Sequence, residues 1–193
     1  MRAAVLALQG AFAEQEHMLE KLGIEYMEIR KKEDALADYD ALILPGGEST
    51  VMGKLLKELN IFPILKQKIE SGLPVLATCA GLILLAENLA GGETPHFGTL
   101  PVSVKRNGYG RQLGSFRKKA FYQGIGTIPM VFIRAPYIEA AAPEVEILAE
   151  IDNRIAAVRY KNQTAMSFHP ELADCRQIYS DFFNAVQGTG LRP

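Results

Sequence analysis

Short apolar runs alternate with helix-like patterns along the first half of the chain. The runs predict buried strands, because each is brief, continuous and bounded by turn residues, and they cover residues 3–8, 25–29, 41–44 and 75–77. Four helices are predicted. The first covers residues 13–22, the second follows the turn at residues 45–50, and the third covers residues 63–70. The fourth is indicated by the helical spacing of Leu82, Leu85, Ala86 and Leu89. Residues 30–38 are charged and are expected to cross the surface. This alternation predicts a parallel, doubly wound sheet, whose ligands gather at the carboxyl ends of its strands.

The pattern changes after Gly91, where strand-like segments follow one another without long helical patterns between them. They cover residues 97–104, 112–121, 130–133, 145–150, 155–160 and 164–168. We expect them to be antiparallel strands added to the parallel core. A closing helix is predicted over residues 174–187, with Ile178, Phe182, Phe183 and Val186 on its apolar face, and Ser49 or Thr50 is expected to cap the helix after the third strand. Residues 188–193 are expected to be a loose tail.

Composition narrows the class of protein. A chain of 193 residues with 48% hydrophobic residues is expected to form one domain over residues 1–193. Its 22 acidic and 21 basic residues nearly cancel, which argues against nucleic-acid binding. Two cysteines without a secretory signal favour the reducing cytoplasm. The apolar run at the N-terminus is too short to span a membrane, so no membrane association is expected.

One cysteine stands between a predicted strand and a predicted helix. A sharp strand-to-helix turn at Cys79 would hold the thiol above the edge of the sheet, as in the nucleophile elbow of hydrolases. The small residues Ala77, Ala80 and Gly81 allow such a turn to close, and the helix N-terminus favours a thiolate. Most lone cysteines are simply small buried apolar residues, however. This stretch alone does not decide between a nucleophile and a core residue.

A histidine and a glutamate follow the strand predicted over residues 164–168. His169 and Glu171 are two positions apart in an extended segment, so their side chains point to the same side, and Pro170 favours that extended backbone. Glu171 could then orient one imidazole nitrogen of His169 while the other meets a thiol, as in a catalytic triad. The His-x-Glu pattern alone is weak, because an ordinary strand end would show it too. The cysteine turn and this pair together point to a nucleophile, a base and an orienting carboxylate.

A glycine-rich turn, Pro45-Gly46-Gly47-Glu48-Ser49, follows the third strand. Paired glycines leave backbone N–H groups unobstructed, and the N–H of Gly47 with that of Ala80 could form an oxyanion hole. The turn could also be a plain strand-to-helix connection. A Walker-type phosphate loop is excluded, because no Gly-Lys-Ser/Thr follows at the required spacing.

Three motifs together resemble the signatures of the class I, triad-type glutamine amidotransferases. They are Pro45-Gly46-Gly47-Glu48-Ser49, Thr78-Cys79-Ala80-Gly81 and His169-Pro170-Glu171. Further motifs resemble one branch, the glutaminase subunit of the pyridoxal 5'-phosphate synthase complex: Leu8-Gln9-Gly10-Ala11, residues 106–112 and Phe132-Ile133-Arg134-Ala135-Pro136. The resemblance covers nearly the whole chain, in order. It implies an α/β, doubly wound, mostly parallel sheet with added antiparallel strands, in a flavodoxin-like amidotransferase architecture.

Three positions depart from the pattern of this branch. Ala77 stands where the elbow usually has glycine, and Gly108 where the branch usually has alanine. Gly114 stands where the branch commonly has an acidic or polar residue. The last two put the details of a surface loop in doubt, and none removes a group that the chemistry needs.

The resemblance implies a role for each matching residue. Cys79 would be the nucleophile, His169 the base and then the acid, and Glu171 the residue that orients the imidazole. Gly47 and Ala80 would form the oxyanion hole. Glutamine would be bound by Gly47, Glu48, Ser49, Arg106, Ile133 and Arg134. Arginine suits the substrate carboxylate because a guanidinium can bind it bidentately.

The resemblance also implies what surrounds the reaction. L-Glutamine would be hydrolysed to L-glutamate and ammonia through a thioester, and the ammonia would pass to a separate synthase subunit that makes pyridoxal 5'-phosphate. Gln9 and Gly10 are candidate contacts for that partner. No metal or other cofactor is expected, because neither His17 nor His96 sits in a ligand-like cluster.

Two other functions remain in view at this point. A cysteine peptidase or deglycase on a related fold would have histidine directly after the elbow cysteine, where this chain has Ala80. A flavodoxin-like binding module would use Cys79 only for packing. Selective reaction of Cys79 with a glutamine-analogue electrophile separates an amidotransferase from such a module.

Overall fold

The computed structural model describes residues 1–106 and 114–188. The strands in this part of the chain are β1 Arg2–Leu6, β2 Glu25–Ile29, β3 Ala41–Leu44, β4 Val75–Thr78, β5 Ala86–Leu89, β6 Leu100–Lys105, β7 Ser115–Tyr122, β8 Gly126–Ile133, β9 Tyr137–Ala141, β10 Glu146–Ile151, β11 Arg154–Tyr160 and β12 Gln163–Met166. The α-helices are α1 Phe12–Lys21, α2 Lys32–Leu36, α3 Ser49–Glu58, α4 Phe62–Glu70, α5 Ala80–Leu85 and α6 Arg176–Gly188, with a 3₁₀ turn at Pro170–Ala173. Gly108, the start of the strand predicted from Gln112, and the tail beyond Gly188 lie outside the described residues.

A large mixed sheet organises the fold. Its strand order is β2-β1-β3-β4-β12-β11-β9-β6-β5, with β10 paired to the side of this path on β11. The five strands from β2 to β12 run parallel, whereas β11 is antiparallel to its partners β12, β9 and β10. Strands β7 and β8 form a separate antiparallel hairpin. The expected combination of a doubly wound parallel core with antiparallel additions is therefore confirmed.

Alternate residues of the central strands pack into two apolar layers. Ala4, Leu42 and Val75 face the layer that contains residues of α3, α4 and α5. Val5, Ile43 and Leu76 face the opposite layer, where α1, α6 and β8 contribute side chains. Because successive strand residues point to opposite faces, a strand covered on both sides must be apolar throughout, which explains the continuous runs in the sequence.

The most consequential difference from expectation concerns β12. The strand predicted over residues 164–168 was expected among the antiparallel additions. In the structure, β12 pairs in parallel with β4, and Met166 lies opposite Thr78. All four of its residues are buried, as a strand inside the core requires. The chain that leaves β12 therefore emerges beside the chain that leaves β4. Strand β6 is antiparallel to β9, as expected, and parallel to β5.

Several local predictions were wrong. The helix after Cys79 ends at Leu85, and residues 86–89 form β5, because pairing with β6 overrides their helical spacing. The charged crossing over residues 30–38 contains the short helix α2, and β9 was not foreseen. The last helix begins at Arg176 rather than residue 174, since Asp174 adopts a left-handed backbone with φ of 49°.

The expected hydroxyl cap of α3 is also absent. Glu48 occupies the capping position of this helix, and it makes no side-chain capping bond. No helix in the described ranges is long and apolar enough to cross a membrane.

Candidate active site

A cavity of about 430 Å³ opens where the carboxyl ends of β3, β4 and β12 meet. Neighbouring parallel strands deliver three loops to this edge, one after each strand. The predicted residues that line the cavity are Gln9, Gly47, Glu48, Ser49, Cys79, Arg106, Ile133, Arg134 and His169. Three predicted residues, Gly10, Ala80 and Glu171, are not among its lining residues, although each is within two positions of a residue that is.

Cys79 sits on a strained turn between β4 and α5. Its φ of 47° and ψ of −100° lie outside the regions that non-glycine residues ordinarily adopt. The Cys79 N–H donates to the Met166 carbonyl at 2.8 Å, which ties the turn to β12. A Cβ on Gly81 would lie 2.3 Å from the Leu44 carbonyl oxygen, so only glycine allows α5 to pack this closely against β3. The side chain of Cys79 is thereby held at the cavity.

His169 lies between Cys79 and Glu171. Its Nδ1 is 2.6 Å from Glu171 Oε1, and its side chain also hydrogen-bonds Cys79. The backbone N–H of His169 donates to the Val131 carbonyl at 2.8 Å, which fixes the loop to β8. The Glu171 side chain is fully buried, so its charge acts on the imidazole with little screening by water. The three side chains therefore form one continuous hydrogen-bonded row.

The protonation of His169 follows from its two partners. Burial on its own lowers the pKa of His169, but hydrogen bonds to Cys79 and Glu171 and the negative charges of both partners raise it, to about 10. The imidazole therefore carries its second proton at neutral pH. The chemical consequence is that His169 faces Cys79 as a proton donor rather than as a neutral base.

The glycine turn after β3 is bound to the turn after β1. The Ala11 N–H donates to the Gly46 carbonyl at 2.9 Å, and the Glu48 N–H donates to Gln9 Oε1 at 2.7 Å. A Cβ on Gly10 would lie 2.0 Å from the Gly46 carbonyl oxygen, so the contact requires glycine. Because the C=O and N–H of a trans peptide point in opposite directions, the bond to Ala11 also fixes the direction of the Gly47 N–H.

The two predicted arginines differ in their surroundings. Arg106 contacts the hydroxyls of Ser49 and Thr50, and it lies 3.8 Å from a Glu48 oxygen and 3.3 Å from a Glu93 oxygen. Arg134 has a left-handed backbone with φ of 42°, and its N–H donates to the Gly114 carbonyl. Within residues 1–106 and 114–188, no carboxylate forms an ion pair with Arg134.

Several features of the site were not predicted. Glu14, Ile83, Pro136 and Leu172 also line the cavity. Pro136 was part of a quoted motif, whereas the other three carry no signal that distinguishes them from ordinary helix or turn residues.

The remaining histidines and the second cysteine lie elsewhere. His17 is exposed, and His96 packs against Gly53 away from the cavity lining. Cys175 is buried, and burial raises the pKa of its thiol. Among the described residues, no group of histidine, cysteine and carboxylate side chains could hold a metal ion.

Comparison with known proteins gives the family. The profile of the SNO glutamine amidotransferase family matches residues 5–187. The pyridoxal 5'-phosphate synthase subunit PdxT of Desulfitobacterium hafniense (strain DSM 10664 / DCB-2) is 57% identical over 188 residues, which are 97% of this chain and 94% of that protein. The protein of the same name from Methanocorpusculum labreanum is 51% identical over 189 residues, covering 98% and 100% of the two chains.

A solved structure agrees with these relatives. A crystal structure described as a glutamine amidotransferase has a TM-score of 0.91 and 41% identity, covering 96% of this chain and 98% of that one. Both the fold and the sequence thus match the class that the three motifs predicted. The chain belongs to the SNO glutamine amidotransferase family.

Proposed function

We propose that this protein hydrolyses L-glutamine to L-glutamate and ammonia and delivers the ammonia to a separate subunit that makes pyridoxal 5'-phosphate. The observation that carries the proposal is the row Cys79–His169–Glu171 at a cavity of a size suited to an amino acid. Membership of an amidotransferase family supports the reaction, and relatives named as pyridoxal 5'-phosphate synthase subunits support the partner.

In the first half of the reaction the Cys79 thiolate attacks the side-chain amide carbon of glutamine. The carbonyl electrons move to oxygen, and the N–H groups of Gly47 and Ala80 stabilise the resulting oxyanion. The C–N bond then breaks, and the leaving nitrogen takes the proton of the His169 imidazolium and departs as ammonia. Glu171 keeps the imidazole oriented throughout.

In the second half, water hydrolyses the γ-glutamyl thioester. His169 is now neutral and accepts a proton from the attacking water, so its two roles follow in the order acid and then base. The C–S bond breaks, glutamate leaves, and the thiolate and imidazolium are restored. The sequence-based expectation had histidine as the base first and then the acid, whereas the raised pKa of His169 supports the proposal that it acts first as the acid.

The ends of the substrate require a cation and an acceptor. We assign the carboxylate of glutamine chiefly to Arg134, because Arg106 is already engaged by two carboxylates. The Glu48 carboxylate is the acceptor for the α-ammonium group, and Ser49 and Ile133 complete the wall of the cavity. Arg106 then acts mainly by holding Glu48 and Ser49 in place.

This assignment predicts unequal effects of the two arginines on substrate binding. Arg134→Ala should raise the KM for glutamine about tenfold or more, since a charge-assisted hydrogen bond contributes roughly 1.5–3 kcal/mol. Arg106→Ala should raise KM less, and Arg134→Lys should restore binding only in part, because an ammonium cannot form the bidentate contact. Steady-state kinetics of the three variants test this. A KM unchanged by Arg134→Ala would place the carboxylate elsewhere.

The partner and setting belong to the same proposal. We assign contact with the synthase to Gln9 and Gly10. The Gln9 side chain accepts from the Glu48 N–H, and Gly10 packs closely against the Gly46 carbonyl. We propose that the chain works as a single amidotransferase domain in the cytoplasm, with neither nucleic acid nor membrane as a partner.

Labelling with 6-diazo-5-oxo-L-norleucine tests the proposed function. This glutamine analogue should alkylate Cys79 and leave Cys175 unmodified, and excess L-glutamine should protect Cys79. Peptide mass spectrometry reads out both sites. Equal labelling of both cysteines, or labelling that glutamine does not slow, would favour a binding module in which Cys79 has only a structural role.

A further inference from the structure

A fully buried chain of polar side chains runs behind the proposed active site. The Gln15 amide nitrogen donates to the Thr78 hydroxyl at 3.2 Å, and its amide oxygen accepts from the Tyr179 hydroxyl at 2.6 Å. All three residues have no exposed surface. Both ends of the Gln15 amide are therefore committed to partners on other elements of the fold.

The chain ends at two parts of the catalytic row. Thr78 is the last residue of β4 and directly precedes Cys79. Tyr179 lies on α6, which packs against the 3₁₀ turn that carries Glu171. Gln15 thus spans the distance between the elbow that carries the nucleophile and the segment that carries the orienting carboxylate.

The backbone of Gln15 continues the same connection toward the glycine turn. Its N–H donates to the Ala11 carbonyl at 3.4 Å, and the Ala11 N–H donates to the Gly46 carbonyl. The α1 helix is further fixed to the region after Glu171 by an ion pair of 2.9 Å between Lys21 and Asp174. One helix therefore touches the elbow, the His-Glu segment and the glycine turn.

Packing alone does not require an amide at this position. Gln15 shares the buried face of α1 with Met18 and Leu19, where an apolar side chain would serve the core. A buried amide is favourable only while its hydrogen bonds are made, and losing one of them costs the desolvation of the group left unpaired. Such a residue restricts its partners to one relative arrangement.

We propose that Gln15 is a positioning residue for glutamine hydrolysis, holding the Thr78–Cys79 turn in register with the His169–Glu171 pair. This inference rests on the proposed function. The Gln15 contacts then set the distance between the Cys79 sulfur and the His169 imidazole, whereas substrate binding at Arg134 and Glu48 does not depend on them.

The test uses the full chain and compares Gln15→Met, Thr78→Val and Tyr179→Phe with Gln163→Met. Methionine fills nearly the volume of glutamine and removes its hydrogen bonds. Gln163 is a matched control, because it is also buried and bonded at both ends of its amide, to Thr99. It lies opposite Val75, at the other end of β4.

We expect Gln15→Met to lower kcat about tenfold or more with little change in KM, because small displacements of reacting groups are costly. Gln163→Met should lose about as much thermal stability as Gln15→Met but should keep kcat close to the wild-type value. The double variant Gln15→Met/Thr78→Val should be no slower than Gln15→Met alone, since both remove the same contact. Thr78→Val and Tyr179→Phe retain shape and test the inference even where Gln15→Met does not fold.

Alkylation of Cys79 by iodoacetamide supplies a readout that needs neither glutamine nor a partner. In the three network variants, the pH dependence of the alkylation rate should move away from that of the wild-type protein, because a displaced imidazole no longer meets the Cys79 sulfur in the same geometry. A wild-type pH dependence in all of them would overturn the inference. If the wild-type protein fails to hydrolyse glutamine with the synthase subunit present, the proposed function fails, but the alkylation profiles still decide whether Gln15 positions Cys79 against His169.

Discussion

Replacing Cys79 by alanine is expected to abolish glutamine hydrolysis while the protein keeps its fold. The substitution removes one sulfur atom from a residue that is 7% exposed, so the loss of packing is small. It also removes the atom that forms the thioester, and loss of a nucleophile from a catalytic triad lowers kcat by roughly 10⁴-fold or more. Release of glutamate by the purified variant, assayed with the synthase subunit present, measures the effect.

Cys175→Ala is the matched control. Cys175 is equally buried, its thiol contacts Gln177, and burial raises its pKa, so its sulfur is a poor nucleophile. We expect the control variant to keep nearly full activity. Substantial turnover in Cys79→Ala, or its loss in Cys175→Ala, would contradict the assignment of the nucleophile.

The triad should also behave as a unit. His169→Asn should cost nearly as much as Cys79→Ala, and the double variant should be no worse than either single variant, because triad members act together. Additive losses would mean that His169 serves a step that does not involve the thiolate.

The second large effect concerns the partner. The free subunit is expected to turn over glutamine roughly 10²–10³-fold more slowly than the complex, which is the cost of one missing oxyanion donor. The Gly46–Gly47 peptide is the element that can account for this, because Ala11 holds its carbonyl and thereby sets the direction of the Gly47 N–H. A synthase that contacts residues 9–11 acts directly on that bond.

Gly47→Ala tests the role of the Gly46–Gly47 peptide separately from the docking of the synthase. A Cβ on Gly47 would lie 2.5 Å from Gln9 Oε1 and 3.0 Å from the Gly10 Cα, so the variant disturbs the join between the two turns. We expect it to blunt the increase in kcat more than it weakens the affinity for the synthase, measured by sedimentation. A full increase in Gly47→Ala would exclude this peptide as the regulated donor.

The parallel core was predictable because its physical demands are simple. A strand covered on both faces must be apolar throughout, so β3 and β4 stand out as unbroken apolar runs between turn residues. The same logic located the site, because Cys79 and Gly47 each follow such a strand and must lie at its carboxyl end. His169 and Glu171 were recognisable by their two-residue spacing, but the predicted extended segment ends at His169, and Glu171 lies in the 3₁₀ turn Pro170–Ala173.

Long-range pairing accounts for most of what could not be predicted. Strand β12 begins with the polar residues Gln163 and Thr164, and nothing in its four residues indicates that it pairs with β4 in parallel. The ion pairs of Arg106 with Glu48 and Glu93 join distant positions of the chain through side chains alone. The family resemblance therefore implied both arginines but not the difference between them.

Gln15 shows a signal that was present and not used. It occupies the apolar face of α1 together with Met18 and Leu19, at positions three and four residues apart. A polar residue at such a position must find buried partners. The helical pattern identifies the position, but only the folded structure names Thr78 and Tyr179.

The measurement that tests the account most directly is the steady-state rate of glutamine hydrolysis with and without the synthase subunit. Glutamate and ammonia should appear in equal amounts when the synthase is supplied without its other substrates. We expect kcat to rise about 10²–10³-fold on addition of the synthase, with KM for glutamine nearly unchanged and no activity in Cys79→Ala under either condition. Full activity of the isolated chain, unaffected by the synthase, would contradict the account and indicate a glutaminase that works alone.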